Sequence, residues 1–154
     1  MIYIASDHAG FYLKKQLIQY LKIKGLELED LGPYEMDPDD DYPDFIIPCA
    51  LRVAESHAQG KPDDVGIVIG GSGQGEAIAA NKVKGIWAAV INSANPQIAK
   101  LAREHNNANV LSLGARFLSA DDAKKAVSSW LDAEFEGGRH QKRINKIIKF
   151  EKRL

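Results

Sequence analysis

Apolar and polar positions switch between two periods along this chain, and each switch marks an element. Ile2 to Ala5 is a short apolar, β-favouring run. Leu13, Leu17, Ile18 and Leu21 then recur at helical spacing with lysines between them, and Gly25 supplies a C-cap. Leu26 to Leu31 alternates apolar and acidic residues as a second strand, the acidic, turn-rich stretch Gly32 to Pro43 reads as a loop, and a helix is expected over Asp44 to Gln59, with Pro48 inside it. Val65 to Ile69 is nearly continuous apolar sequence, the mark of a strand buried on both faces. A glycine-rich break follows, then a helix over Glu76 to Val83, a buried strand over Ile86 to Ile91, and a helix over Gln97 to His105. A fifth strand is expected over Val110 to Leu113. A helix over Ala120 to Ala133 follows, with Asp121 and Asp122 at its positive end, and a basic helix over His140 to Lys152 comes last. Strict alternation with short connections predicts an α/β fold, a parallel sheet of five strands covered by helices on both faces. No repeat or linker divides the chain, so residues 1–154 are expected to form a single domain.

Composition changes this picture little. A formal net charge of −1 gives no general attraction to nucleic acid or an anionic membrane. No apolar run approaches the about 20 residues of a membrane span, and the first strand begins without the pattern of a signal peptide; a cytoplasmic protein is expected. The single cysteine, Cys49, permits neither an internal disulfide nor a multi-cysteine metal site, and its apolar setting reads as buried and inert.

Ligands of such sheets bind beyond the carboxyl ends of the strands, near the switch point in strand order. Three segments qualify: Ser6 to Gly10, Gly70 to Glu76, and the region after Ile91. The second is the most informative. Four glycines among the six residues Gly70-Gly71-Ser72-Gly73-Gln74-Gly75 let a backbone turn sharply and bring its N–H groups close to a ligand. At a helix start those donors favour an anion: a phosphate, a carboxylate or an oxyanion formed during reaction. The Walker phosphate pattern fails because Gly75 is followed by Glu76, not by lysine, and the dinucleotide pattern lacks both its third glycine and its later acid. Glu76 would repel a phosphate in this cradle. A carbonyl that becomes an enediolate suits it better, with N–H donors for the oxygen and a carboxylate for the carbon-bound proton. The spacing equally allows Glu76 to be one more glutamate at a helix N-terminus.

Other polar residues have two readings each. Asp7 and His8 follow the first strand as ligand groups or as a turn. His105 and Asn106 end a helix, where a histidine is also a favourable cation. Arg116 is a ligand group or a surface residue. Arg139 and Arg143, four apart, share a helix face and suit a phosphate, although lysines around them also make a solvated basic helix. That helix lacks the interleaved aromatics of a nucleic-acid surface. The aspartates Asp37, Asp39, Asp40 and Asp41 lack the glycine and distal glutamate of a calcium loop and read as solvated.

Taken together, Ser6-Asp7-His8-Ala9-Gly10, Asp41-Tyr42-Pro43, Gly70 to Glu76 with Ala79-Ala80-Asn81-Lys82, Arg103 to Val110, Gly114-Ala115-Arg116 and Gly138 to Arg143 resemble the type B ribose-5-phosphate isomerases over nearly the whole chain. That family also holds allose-6-phosphate and galactose-6-phosphate isomerases. The resemblance implies a three-layer Rossmann-like sandwich whose C-terminal helix serves dimerisation, and a homodimer, able to pair further into a tetramer, with active sites shared between subunits and no metal or cofactor. It implies Glu76 as the base shuttling a proton between C2 and C1 of a small phosphorylated sugar. Ser72 and the backbone of Gly71, Gly73, Gln74 and Gly75 would form the anion hole, with Tyr42 beside the sugar. Asp7 and His105 would assist ring opening, His105 and Asn106 coming from the partner; His8, Arg116, Arg139 and Arg143 would hold the phosphate. Some members carry a catalytic cysteine where this chain has Gly70 and no glutamate at position 76, so Cys49 inherits no role. The acidic insertion at Pro38 to Asp41 leaves five- and six-carbon sugar phosphates both open. A non-catalytic phosphosugar- or nucleotide-binding module is the rival reading.

Overall fold

The computed structural model describes Met1 to Leu154. Five strands, β1 (Ile2–Ser6), β2 (Leu28–Asp30), β3 (Val65–Gly70), β4 (Ala88–Ile91) and β5 (Val110–Gly114), form one parallel sheet in the order β2-β1-β3-β5-β4. Side chains alternate between its faces. Ile2 and Ile4 enter a cluster with α1 (Phe11–Ile23), α4 (Pro96–Asn106) and α5 (Ala120–Leu131). Tyr3 and Ala5 enter a second cluster with α2 (Pro43–Ala58) and α3 (Gln74–Asn81). The result is the expected three-layer α/β sandwich.

The strand order places the site. From β1 the chain moves outward to β2, then crosses back over β1 to β3. The carboxyl ends of β1 and β3 are therefore neighbours, with Ser6 in register with Ile69. Their following helices leave toward opposite faces, α1 to one and α3 to the other, and a crevice opens between the two loops.

Two strands differ from expectation. The β2 strand keeps only three residues because it is an edge and pairs with β1 alone. The β4 strand begins at Ala88, not Ile86, and is the opposite edge, half-buried at Ala88 to Val90. Its small apolar residues read as a buried strand, yet only one side of it has a neighbour. Asn81 ends the preceding helix by bonding Ala88 in both directions, its Oδ1 accepting from the main-chain N–H at 2.7 Å and its Nδ2 donating to the carbonyl at 3.0 Å.

The last helix, α6 (Gly138–Glu151), rests on α4 through His140 and Ile144 while Ile147, Phe150 and Leu154 stay exposed. Cys49 is buried in the α2 layer, where desolvation pushes its thiol up to about 12, as its inert reading requires. No helix is long and apolar enough to cross a membrane.

Trp130, the largest fully buried side chain, fills the space between α5 and the sheet and donates its indole N–H to Ala108 at 3.2 Å. Trp130→Ala should lower the unfolding free energy by about 3–5 kcal/mol, seen as a lower urea midpoint at an unchanged slope; a loss below about 1 kcal/mol would mean that the core closes over the vacancy.

Candidate active site

The glycine loop is fixed from behind. Its carbonyls are occupied: Ala115 N–H donates to Gly70 at 2.8 Å, Arg116 N–H to Gly71 at 3.0 Å, and the buried Ser112 hydroxyl to Gly73 at 2.6 Å. Gly73 takes φ +78 and lies so close to β5 that a Cβ would come within 3.1 Å of three backbone atoms there. With the carbonyls turned toward β5, the N–H groups of Gly71, Ser72 and Gly75 donate to nothing in the chain. They form a free set of main-chain donors at the start of α3. The Ser72 hydroxyl accepts weakly from Gln74 N–H at 3.3 Å.

Glu76, in the first turn of α3, is only 4% exposed. Its carboxylate lies directly against the backbone of Gly70, where any Cβ would fall inside its van der Waals envelope. Burial pushes its pKa upward, the main-chain N–H groups of Glu76 and Gly73 pull it back, and the Asp7 carboxylate pushes it up again. Asp7, at the end of β1, is buried and accepts from Gly10 N–H at 3.0 Å.

Three further groups surround this floor. The Tyr42 ring stands over Gly75, where a Cβ would be 2.9 Å from Cζ. The Arg116 guanidinium stands over Gly71, where a Cβ would be 3.2 Å from it. His8 meets Asp40, its Nδ1 at 2.6 Å and its main-chain N–H at 3.0 Å from the same Oδ1. The reading of Asp40 as part of a solvated loop is corrected here: its side chain is 6% exposed, because the loop folds back onto the end of β1. Asp37, Asp39 and Asp41 are exposed as expected.

The single chain thus gathers Asp7, His8, Tyr42, Gly71 to Gly75, Glu76 and Arg116. It does not bring His105, Asn106, Arg139 and Arg143 to them. Helix α4 runs back from the carboxyl end of β4 to the start of β5, so His105 and Asn106 lie at the opposite edge of the sheet. There the His105 ring stacks on His140 at 4.1 Å between centroids, and Glu136 approaches both rings. Arg139 and Arg143 are exposed on the first turns of the adjoining α6. His140 is buried, and that burial holds its pKa below the ordinary value, with His105, Arg139 and Arg143 acting the same way against Glu136.

Two trios could in principle hold an ion: His105, Glu136 and His140, and Asp7, His8 and Asp40. The stacked rings lie 12° from parallel, so an ion in the plane of one is out of the plane of the other, and imidazole ligates in its own plane. In the second trio His8 Nδ1 is already hydrogen-bonded to Asp40. Neither is arranged around a cation.

Sequence reasoning missed Ser112, Asp40 and the pair His140 and Glu136. Ser112 had a signal, as the one hydroxyl in the apolar strand Val110 to Leu113.

The family model described as "Ribose/Galactose Isomerase" matches residues 2–147. Ribose-5-phosphate isomerase B of Mycolicibacterium paratuberculosis is 42% identical over 152 residues, covering 98% of this chain and 91% of that one. A crystal structure of ribose-5-phosphate isomerase B from Mycoplasma genitalium with bound ribulose 5-phosphate superposes with a TM-score of 0.92 at 48% identity, covering 99% of this chain and 97% of that one. The corresponding enzyme of Clostridium thermocellum gives a TM-score of 0.86 at 47% identity, with the same coverage of 99% and 97%.

The crowding of Gly70 by Glu76 is testable without substrate. Gly70→Ala should destabilise the fold by about 1–3 kcal/mol, and adding Glu76→Ala should recover part of that loss. Urea unfolding of both singles and the double gives the coupling; strictly additive losses would mean that the two positions do not share space.

Proposed function

The chain belongs to the ribose/galactose isomerase family, and on that premise we propose that it interconverts ribose 5-phosphate and ribulose 5-phosphate through an enediolate, with Glu76 as the base. The observation that carries this reading is the buried Glu76 carboxylate, seated on Gly70 beside the free N–H groups of Gly71, Ser72 and Gly75. A carboxylate deprived of water is a stronger base than usual, and donors fixed in advance stabilise an oxygen that gains charge only as the proton leaves. The relatives' names support the five-carbon substrate.

In the proposed sequence Asp7 and His105 assist opening of the sugar ring. Glu76 then removes the C2 proton of the aldose while the glycine-loop N–H groups and the Ser72 hydroxyl hold the developing oxyanion. A proton passes from the C2 hydroxyl to the C1 oxygen, and return of the carbon-bound proton to C1 gives the ketose. His8, Arg116, Arg139 and Arg143 hold the phosphate, Tyr42 flanks the sugar, and Gly73 and Gln74 shape the loop that binds it. Because His105, Asn106, Arg139 and Arg143 stand at the far edge of their own sheet, they serve the site of a second copy, and the working unit is a homodimer.

Glu76→Gln keeps the shape and cannot accept the proton. Turnover should fall by about 10²–10⁴-fold with an unchanged circular dichroism spectrum, and turnover within a few-fold of wild type would rule out Glu76 as the base. In D₂O the wild-type enzyme should place deuterium at C1 or C2 of the sugar, whereas a binding module leaves it unlabelled.

Glu76 must be ionised to act, and its pKa is raised. As pH falls, kcat/KM should therefore drop before an ordinary glutamate would titrate, on a limb above 4.5. A limb at or below that value in the pH–rate profile would contradict the role assigned to burial.

A further inference from the structure

The acidic loop between β2 and α2 delivers two side chains to the crevice, Tyr42 onto Gly75 and Asp40 onto His8. We propose that Asp40 is a positioning residue for substrate binding: its carboxylate fixes the His8 ring and keeps it cationic, so that Nε2 faces the phosphate of the sugar. This rests on the assignment of His8 to the phosphate made above.

One oxygen of Asp40 holds His8 twice, through the ring Nδ1 at 2.6 Å and the main-chain N–H at 3.0 Å. That pair of bonds sets both the rotation of the imidazole and its proton pattern. Nδ1 carries the hydrogen given to Asp40, and Nε2 is the ring atom left for a ligand. The two side chains differ sharply in exposure, 33% for His8 against 6% for Asp40, so the carboxylate lies on the buried side of the pair and the ring on the solvent side. The second oxygen, Oδ2, is buried with no partner. The charge of Asp40 thus has His8 as its one close counter-charge.

The other charges facing His8 are Asp7 from its own strand end and Arg116 from the turn after β5. The Asp40 hydrogen bond raises the His8 pKa most, burial opposes it, Asp7 and the charge of Asp40 add to the rise, and Arg116 lowers it. The balance is upward. Without Asp40, the guanidinium of Arg116 and partial burial would both favour a neutral ring, and a neutral ring gives a phosphate a much weaker hydrogen bond.

Asp40 could instead serve only to tie down the loop that carries Tyr42, and Asp40→Asn separates the two roles. The amide oxygen still accepts from Nδ1 and the main chain, but the charge is gone. KM for ribose 5-phosphate and kcat are measured from pH 6 to pH 8 for wild type, Asp40→Asn and His8→Gln. Imidazole nitrogen NMR follows the four histidines. For Asp40→Asn, KM relative to wild type should climb from near unity at pH 6 to on the order of tenfold at pH 8, with kcat within about twofold. The His8 midpoint should fall, with an unchanged circular dichroism spectrum reporting an intact fold. His8→Gln should raise KM at every pH. A KM ratio flat across pH, or an unmoved His8 midpoint, overturns the role of Asp40 and leaves the isomerase reading standing. An unchanged KM in His8→Gln removes His8 from the phosphate site, and the proposal with it.

Discussion

The carboxyl edge of the sheet is organised around one crowded contact, the Glu76 carboxylate against the backbone of Gly70. Taking a carboxylate out of water costs free energy unless something nearby answers its charge. Here the main-chain N–H groups of Glu76 and Gly73 do so in part, and the upward shift of the pKa records what they leave uncompensated. The contact also dictates residues beyond itself. Position 70 must lack a side chain, and Gly73 must adopt a left-handed conformation beside β5. Ser112 must reach the Gly73 carbonyl so that the amide hydrogens of the loop turn the other way.

The remaining functional groups obey a directional constraint. In a parallel sheet every connecting helix returns its chain to the edge where strands begin. A helix N-terminus such as that of α3 therefore sits at the ligand edge, and a helix C-terminus such as that of α4 sits at the other. His105 cannot meet Glu76 within one chain. The proposed dimer resolves this by bringing the far edge of one copy to the near edge of the next. Helix α6 is suited to that task, as its apolar side chains Ile147 and Phe150 are exposed in their own chain.

Much of this was legible in the sequence because it depends on local rules. The change from a period of 2 to one near 3.6 separated the strands from the helices, and the nearly continuous apolar run Val65 to Ile69 marked β3 as buried on both faces. Glycine density marked the loop, since a packed strand end has no use for so many residues without side chains. The edge position of β4 was not legible: Ala88, Ala89 and Val90 are small and apolar whether a neighbour lies on one side or both. Nor was the place of Asp40. Four aspartates in a turn-rich segment look alike in sequence. Only the return of the loop across the end of β1 picks out the one that meets His8, 32 residues away. The depth of Glu76 was hidden for the same reason, because it depends on how closely the carboxylate folds back onto Gly70.

If the proposed reaction holds, the charges of the crevice bear on which way round a phosphorylated sugar enters. Asp7 and Glu76 form an acidic floor that raises the basicity of Glu76 and repels a phosphate from the glycine loop. That loop is anion-binding by its amides alone, yet with Glu76 present it favours an oxygen whose charge grows during reaction over one that arrives fully charged. Arg116, standing over Gly71, and His8, just past the end of β1, supply the positive charge of the crevice, and in the proposed role Asp40 keeps the histidine from losing its share of it. A substrate with a carbonyl at one end and a phosphate at the other satisfies both regions in a single orientation, carbonyl to the glycines and phosphate to the cations. Reversing it would set phosphate against two carboxylates and leave the cations unused. In the proposed reaction orientation thus follows from charge before any contact with the hydroxyl groups of the sugar.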